Sequence, residues 1–224
     1  MKYATIKIFF LLMVFSTLAN AQDWPNLGRY RDANDKLKQD NTKVAAIFMG
    51  DSITDFWVNS SSGFFSDNHY VDRGISGQTS PQMLIRFRTD VLELKPQAVV
   101  ILCGTNDIAG NTGPSTLKMI EDNIMSMAQL AKANKIKVVL CSVTPSNKFG
   151  WKPNLMPADD IVALNSWIAE YAEANHFKFA NYYPALVNDT KGMKAEYSKD
   201  GVHPTKEGYT VMESVIQPIL KKIL

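Results

Sequence analysis

The sequence predicts an α/β domain: a central parallel sheet of about five strands held between helices. Three observations carry that reading. Short apolar segments recur along the chain, and they are continuous runs such as Val44–Met49 and Ala98–Cys103 rather than alternating ones, as strands buried on both faces require. Segments with helical periodicity separate them, which fits right-handed crossovers between parallel strands. Four runs stop abruptly at turns of small polar residues: Gly50-Asp51-Ser52, Gly74–Gly77, Gly104–Asp107 and Thr144-Pro145. In a parallel sheet such ends share one edge, where open α/β sheets place their ligands.

Taken in order, residues 24–39 carry a loose apolar stripe (Trp24, Leu27, Tyr30, Leu37) and predict a surface helix leading into the first strand. Residues 44–49 form that strand, and Gly50 lets the backbone turn sharply at its end. One or two helical turns and a Ser/Gly-rich loop with Phe64 and Phe65 follow. The second strand is expected over 69–75. Ser80–Leu94 reads as a helix with Met83, Phe87, Val91 and Leu94 on one face, Pro81 at its start and Pro96 beyond its end. The third strand covers 98–103. Pro114–Asn134 keeps a helical period through Leu117, Ile120, Ile124, Met127 and Ala131, and Ile136–Val143 is the fourth strand. A loop with three prolines precedes a helix over 158–175, then a short fifth strand at 177–182. A last helix starts at Thr205, with Pro218 expected to kink or fray its end.

The chain has 224 residues, 46% of them apolar, enough for one domain with a sizeable core. Its start reads as a signal peptide over residues 1–21. Lys2 and Lys7 flank the entry to an apolar run, Ile8–Phe15, too short to span a bilayer, and Ala19-Asn20-Ala21 offers a cleavage site. A single domain over 22–224 and an exported protein, periplasmic or secreted, follow as expectations, with no integral membrane segment once the leader is cleaved. The chain holds 24 Lys plus Arg against 22 Asp plus Glu, so losing Lys2 and Lys7 balances the charge. No basic patch suggests nucleic acid as a partner. Cys103 and Cys141 lie inside strand-like runs and read as buried free thiols. Neither has the spacing of a metal site.

Ser52 is placed where a nucleophile would sit, although a serine that merely caps a helix looks the same locally. A nucleophilic serine needs a base, and the base needs a group to orient it. Of three histidines, His203 alone has a carboxylate at hand: Gly201 supplies a turn that can fold Asp200 back onto its ring. His69 and His176 read as structural. Acyl transfer also needs donors for a developing oxyanion. The Asn106 side chain and the backbone N–H groups of Gly77 and Ser52 are the candidates. Asp51 and Asp107 read as acceptors for loop N–H groups, since a carboxylate beside an oxyanion opposes its charge.

These residues together resemble the SGNH hydrolases, also called GDSL-type esterases. Gly50-Asp51-Ser52, Gly77 within ISGQT, Gly104-Thr105-Asn106-Asp107 and Asp200-Gly201-Val202-His203-Pro204 match the four sequence blocks of that family in order. The resemblance implies a flavodoxin-like three-layer α/β/α sandwich and a carboxylic ester hydrolase. It implies Ser52 as nucleophile, His203 as base, Asp200 as orienting acid, an oxyanion hole of Ser52, Gly77 and Asn106, and no metal or cofactor. The G-x-S-x-G elbow of the α/β-hydrolases is absent around Ser52.

The substrate is expected to be a small-molecule or carbohydrate ester. GDSIT followed by Trp57 is similar to members that remove acetyl groups from carbohydrates, which makes an acetylesterase the leading expectation. Trp57, Phe149 and Trp151 then offer an aromatic platform for a sugar, or else pack their own loops. The alternative is a lysophospholipase or thioesterase, with the same aromatics and Met156-Pro157 lining an acyl groove. A non-catalytic carbohydrate-binding module is disfavoured because Ser52, Asp200 and His203 are all present.

Overall fold

The computed structural model describes residues 23–224; the expected leader and its cleavage site lie outside the described residues. Five parallel strands form the sheet: β1 (Ala46–Gly50), β2 (Tyr70–Gly74), β3 (Ala98–Leu102), β4 (Lys137–Cys141) and β5 (Lys178–Ala180). Their spatial order is β2-β1-β3-β4-β5. Every pairing is parallel, with Ala46 opposite both Tyr70 and Ala98. This is the flavodoxin-like order, and its topological switch point lies between β1 and β3. The fold is therefore the three-layer α/β/α sandwich.

The helices are α1 (Arg31–Gln39), the short α2 (Ser52–Asp55), α3 (Trp57–Ser60) and α4 (Ser62–Ser66), then α5 (Ser80–Asp90), α6 (Thr105–Ile108), α7 (Leu117–Ala133), α8 (Ala158–Ala174), α9 (Tyr183–Leu186) and α10 (Lys206–Ile223). Successive strand side chains point to opposite faces, so two cores form. Ile47, Met49, Val99, Ile101 and Leu140 pack against Phe87 of α5, Ile124 of α7 and Leu164 of α8. Phe48, Val100, Leu102 and Val139 pack against Trp57, Phe65 and the Tyr209, Met212 and Ile216 face of α10.

Element ends depart from the sequence reading where turn chemistry intervenes. The first helix starts at Arg31 rather than Trp24, because the Asp23 carboxylate accepts the N–H groups of Leu27 and Gly28 at 2.9 and 3.0 Å and folds residues 23–30 into turns. The helix expected over 80–94 stops at Asp90, continues as a 3₁₀ turn over Leu92–Leu94, and ends at Lys95 in the left-handed conformation (φ 48°). At its start, the Gln82 side chain accepts the Thr79 N–H at 3.0 Å. The final helix runs past Pro218 to Ile223.

Candidate active site

Four loops at the carboxyl ends of the strands converge beside the switch point. The first follows β1. Asp51 caps α2, its Oδ1 accepting the Ile53 N–H at 3.0 Å, and this places Ser52 in the first helical position. Gly50 is obligatory here, since a Cβ would stand 2.0 Å from Thr54 Oγ1. Ser52 is nearly buried, at 8% exposure, so its Oγ meets only what the neighbouring loops present.

The loop before α10 presents His203. Asp200 and Gly201 (φ 82°) make the turn. Asp200 Oδ1 accepts the backbone N–H groups of Val202 and His203 at 2.9 and 2.8 Å, and the Ser198 hydroxyl at 3.1 Å. That leaves Oδ2 facing His203 Nδ1 at 2.6 Å, while His203 Nε2 stands 2.9 Å from Ser52 Oγ. Burial raises the Asp200 carboxyl, but the His203 ring and the two backbone donors outweigh it and bring the carboxyl down to about 2. It is therefore ionised wherever the imidazole has to be oriented. The Phe56 ring lies 5.2 Å from that of His203 and is 42% exposed, forming an apolar lip at the site.

Asn106 comes from α6, directly after β3. Its Nδ2 donates to the Gln78 carbonyl at 3.0 Å and more weakly to Asp51 Oδ2 at 3.3 Å. Gly77 occupies a left-handed turn (φ 79°) after β2, and the loop is tied to β1 by the Ile75 N–H on the Gly50 carbonyl at 3.1 Å. Among the described residues, neither the Gly77 nor the Ser52 backbone N–H donates to a protein acceptor. Burial pushes the Asp51 carboxyl up to about 7 against the opposing Ile53 N–H bond. Asp107, also raised by burial, accepts the Ser80 N–H and hydroxyl at 2.9 and 2.5 Å. Both carboxylates thus act on loop donors.

The structure brings Ser52, His203, Asp200 and Asn106 together, with Gly77 on the adjoining loop, but corrects two of the three aromatic expectations. Trp57 is 0% exposed, stacks on Phe64 and Tyr209, and donates its indole N–H to Glu213 Oε1 at 3.0 Å. It is a core residue, because α3 turns that face onto the sheet. Phe149 is likewise 0% exposed and lies beneath Trp151, ring centroids 5.0 Å apart. Only Trp151 remains open, at 43% exposure. His69 and His176 take left-handed conformations just before β2 and β5, at the opposite edge of the sheet.

Residues that the sequence reading passed over complete the site. Arg86, fully buried, donates to Gln78 Oε1 at 2.6 Å, to the Gly50 carbonyl at 2.9 Å and to Asp90 Oδ2 at 2.9 Å. It thereby fastens the β1 and β2 loops to each other. Asn111 donates to Asn106 Oδ1 at 2.7 Å and accepts from Trp151 Nε1 at 3.0 Å. An arginine on an otherwise apolar helix face was the one available signal. Among the described residues no group of three or more His, Cys, Asp or Glu side chains is arranged to hold a metal ion, and Cys103 and Cys141 are buried free thiols.

Known proteins place this geometry in context. The sequence profile of the GDSL-like Lipase/Acylhydrolase family matches residues 48–211. A GDSL-like lipase from Bacteroides thetaiotaomicron superposes with a TM-score of 0.85 at 47% identity, over 89% of this chain and 99% of that one. Esterase TesA of Pseudomonas aeruginosa is 27% identical over 84% of this chain and 93% of its own length. The acetylxylan esterase of Xylanibacter ruminicola is also 27% identical, over 88% of this chain but only 46% of the longer relative.

Proposed function

The chain belongs to the GDSL-like lipase/acylhydrolase family and is a carboxylic ester hydrolase, and from that premise we propose that it is an exported serine esterase that removes acetyl groups from carbohydrates. The observation that carries the serine mechanism is the unbroken chain from Ser52 Oγ to His203 Nε2 at 2.9 Å and from His203 Nδ1 to Asp200 at 2.6 Å. Asp200 accepts at Nδ1, so the ring proton stays there and Nε2 is free to accept the serine proton. Ser52 Oγ attacks the ester carbonyl as that proton moves to Nε2. The tetrahedral oxyanion is received by the unengaged N–H groups of Ser52 and Gly77 and by Asn106 Nδ2, which releases its longer bond to Asp51. The proton on Nε2 then passes to the departing alkoxide, leaving an acyl-Ser52 ester. Nε2 next takes a proton from water, whose oxygen attacks that ester, and returns it to Ser52 as the acid leaves.

The acetyl and carbohydrate assignment draws on the acetylxylan esterase relative and on Trp151, an indole face open to solvent at the rim of the site. Export draws on the leader-like residues 1–21; among the described residues no helix is long and apolar enough to cross a membrane. The test is a series of p-nitrophenyl esters from acetate to palmitate, followed by acetylated xylo-oligosaccharides, with Ser52→Ala as control. A steep preference for acetate and turnover of the acetylated sugar are expected. A preference for long chains would replace this reading with a lysophospholipase or thioesterase, and wild-type turnover by Ser52→Ala would sink the serine mechanism.

A further inference from the structure

We infer that Trp151 and Asn111 are positioning residues that orient the amide of Asn106 toward the oxyanion. The inference rests on the reading of Asn106 as an oxyanion donor and extends it. A primary amide presents an acceptor on one side and a donor on the other, and its two orientations occupy the same space. Which way Asn106 points decides whether a donor or an acceptor meets the developing negative charge. The indole N–H of Trp151 can only donate. It is received by Asn111 Oδ1 at 3.0 Å, so Asn111 must turn its Nδ2 the other way, onto Asn106 Oδ1 at 2.7 Å. With its oxygen engaged there, Asn106 must present Nδ2 on the opposite side, toward Gln78 O and Asp51. A donor-only group at the rim thus sets the polarity of two amides in series.

Two further facts fit this role. Trp151 is exposed on one side but stacked on the buried Phe149, with 15° between the ring planes, so its N–H is held in a fixed direction. At the inner end, Gln78 O is itself an acceptor, so both ends of the chain favour the same orientation of Asn106. The outer end matters most when the oxyanion draws a proton of Nδ2 away from Asp51. The bond to Asn111 then keeps the amide plane from rotating.

The experiment measures kcat and KM on a small ester, ethyl acetate, for Asn106→Ala, Trp151→Phe, Asn111→Ala, Asn111→Asp and the Trp151→Phe/Asn111→Ala double variant, with thermal melts as a folding check. Trp151→Phe keeps a ring on Phe149 but lacks the N–H. It is expected to lower kcat by about threefold to tenfold, the worth of one hydrogen bond, at unchanged KM. Asn111→Asp sets a carboxylate against Asn106 Oδ1 and is expected to lower kcat further than Asn111→Ala. The double variant is expected to be no worse than Asn111→Ala alone, because both changes break one chain. Wild-type kcat in Trp151→Phe and Asn111→Asp would overturn the inference, provided that Asn106→Ala shows its expected loss of about 10²–10³. Wild-type kcat in Asn106→Ala would instead overturn the parent reading.

Discussion

Asp200 holds His203 twice: Oδ1 accepts its backbone N–H at 2.8 Å, and Oδ2 faces ring Nδ1 at 2.6 Å. The first contact fixes where the residue sits, and the second fixes which ring nitrogen carries the proton. Asp200→Asn separates the two. Its carbonyl oxygen still accepts from the backbone, but its NH2 then faces Nδ1 and drives the ring proton to Nε2, where the serine proton must go. The expected result is a fall in kcat of about 10⁴ with the melting temperature little changed. Equal losses of activity and stability would mean that Asp200 serves only to hold the loop.

Asp51 gives a pH signature. Burial raises its carboxyl from 3.8 to about 7 in the folded chain. Below 3.8 both folded and unfolded forms are protonated. As pH rises toward 7 the unfolded chain releases this proton while the folded one keeps it, so the unfolded state gains and stability falls. Above about 7 both are ionised and the decline stops. Asp72, raised to about 7 by burial, acts in the same direction, while Asp200, held at about 2, acts in the opposite one below 3.8. Asp51→Asn mimics the protonated acid. Its stability relative to the parent chain is expected to rise between pH 4 and 7, read from denaturant midpoints across that range. A difference that stays flat with pH would show that Asp51 ionises freely in the fold.

Arg86 tests the frame behind the oxyanion loop. It is buried with three acceptors: Asp90, Gln78 Oε1 and the Gly50 carbonyl. Burial lowers its pKa, and the Asp90 charge works against that. Arg86→Met leaves the buried Asp90 without its cation, and breaking such a pair costs about 3–5 kcal/mol. Arg86→Met/Asp90→Leu is expected to recover only part of that loss in urea unfolding, because the orphaned carboxylate is gone but the buried Arg73 loses the nearby Asp90 charge. A double variant as unstable as the single one would locate the cost in the orphaned Gly50 and Gln78 oxygens and in the Arg73 charge instead.

How far the sequence discloses this molecule depends on whether the signal is local. The strands are legible because runs such as Ala98–Leu102 are buried on both faces and so are apolar throughout. The Asp200–His203 pair is legible because a single turn at Gly201 brings two residues three apart into contact. Arg86 and Asn111 were not legible. Their partners Gly50 and Asn106 come from other segments, and nothing in a polar residue's own neighbourhood states which loop it will meet. Trp57 misled for the converse reason. Six residues after the Asp51 cap, at the start of the four-residue α3, its spacing suits either face, and only the packing of α10 against α3 decides that it points inward.

That inward position yields a clear test. Trp57 lies among Phe48, Phe64, Phe65 and Tyr209, with its indole N–H on Glu213. Trp57→Ala opens a cavity between α10 and the sheet and is expected to cost about 3–5 kcal/mol. Trp57→Phe refills much of the space but leaves Glu213 Oε1 without its donor, so it should fall between the parent chain and Trp57→Ala. KM for an acetylated sugar should be unchanged in Trp57→Phe, because no face of this ring reaches solvent. Denaturant unfolding and steady-state kinetics on the same preparations make the comparison. A raised KM with undiminished stability would return Trp57 to the list of substrate contacts and contradict its place in the core.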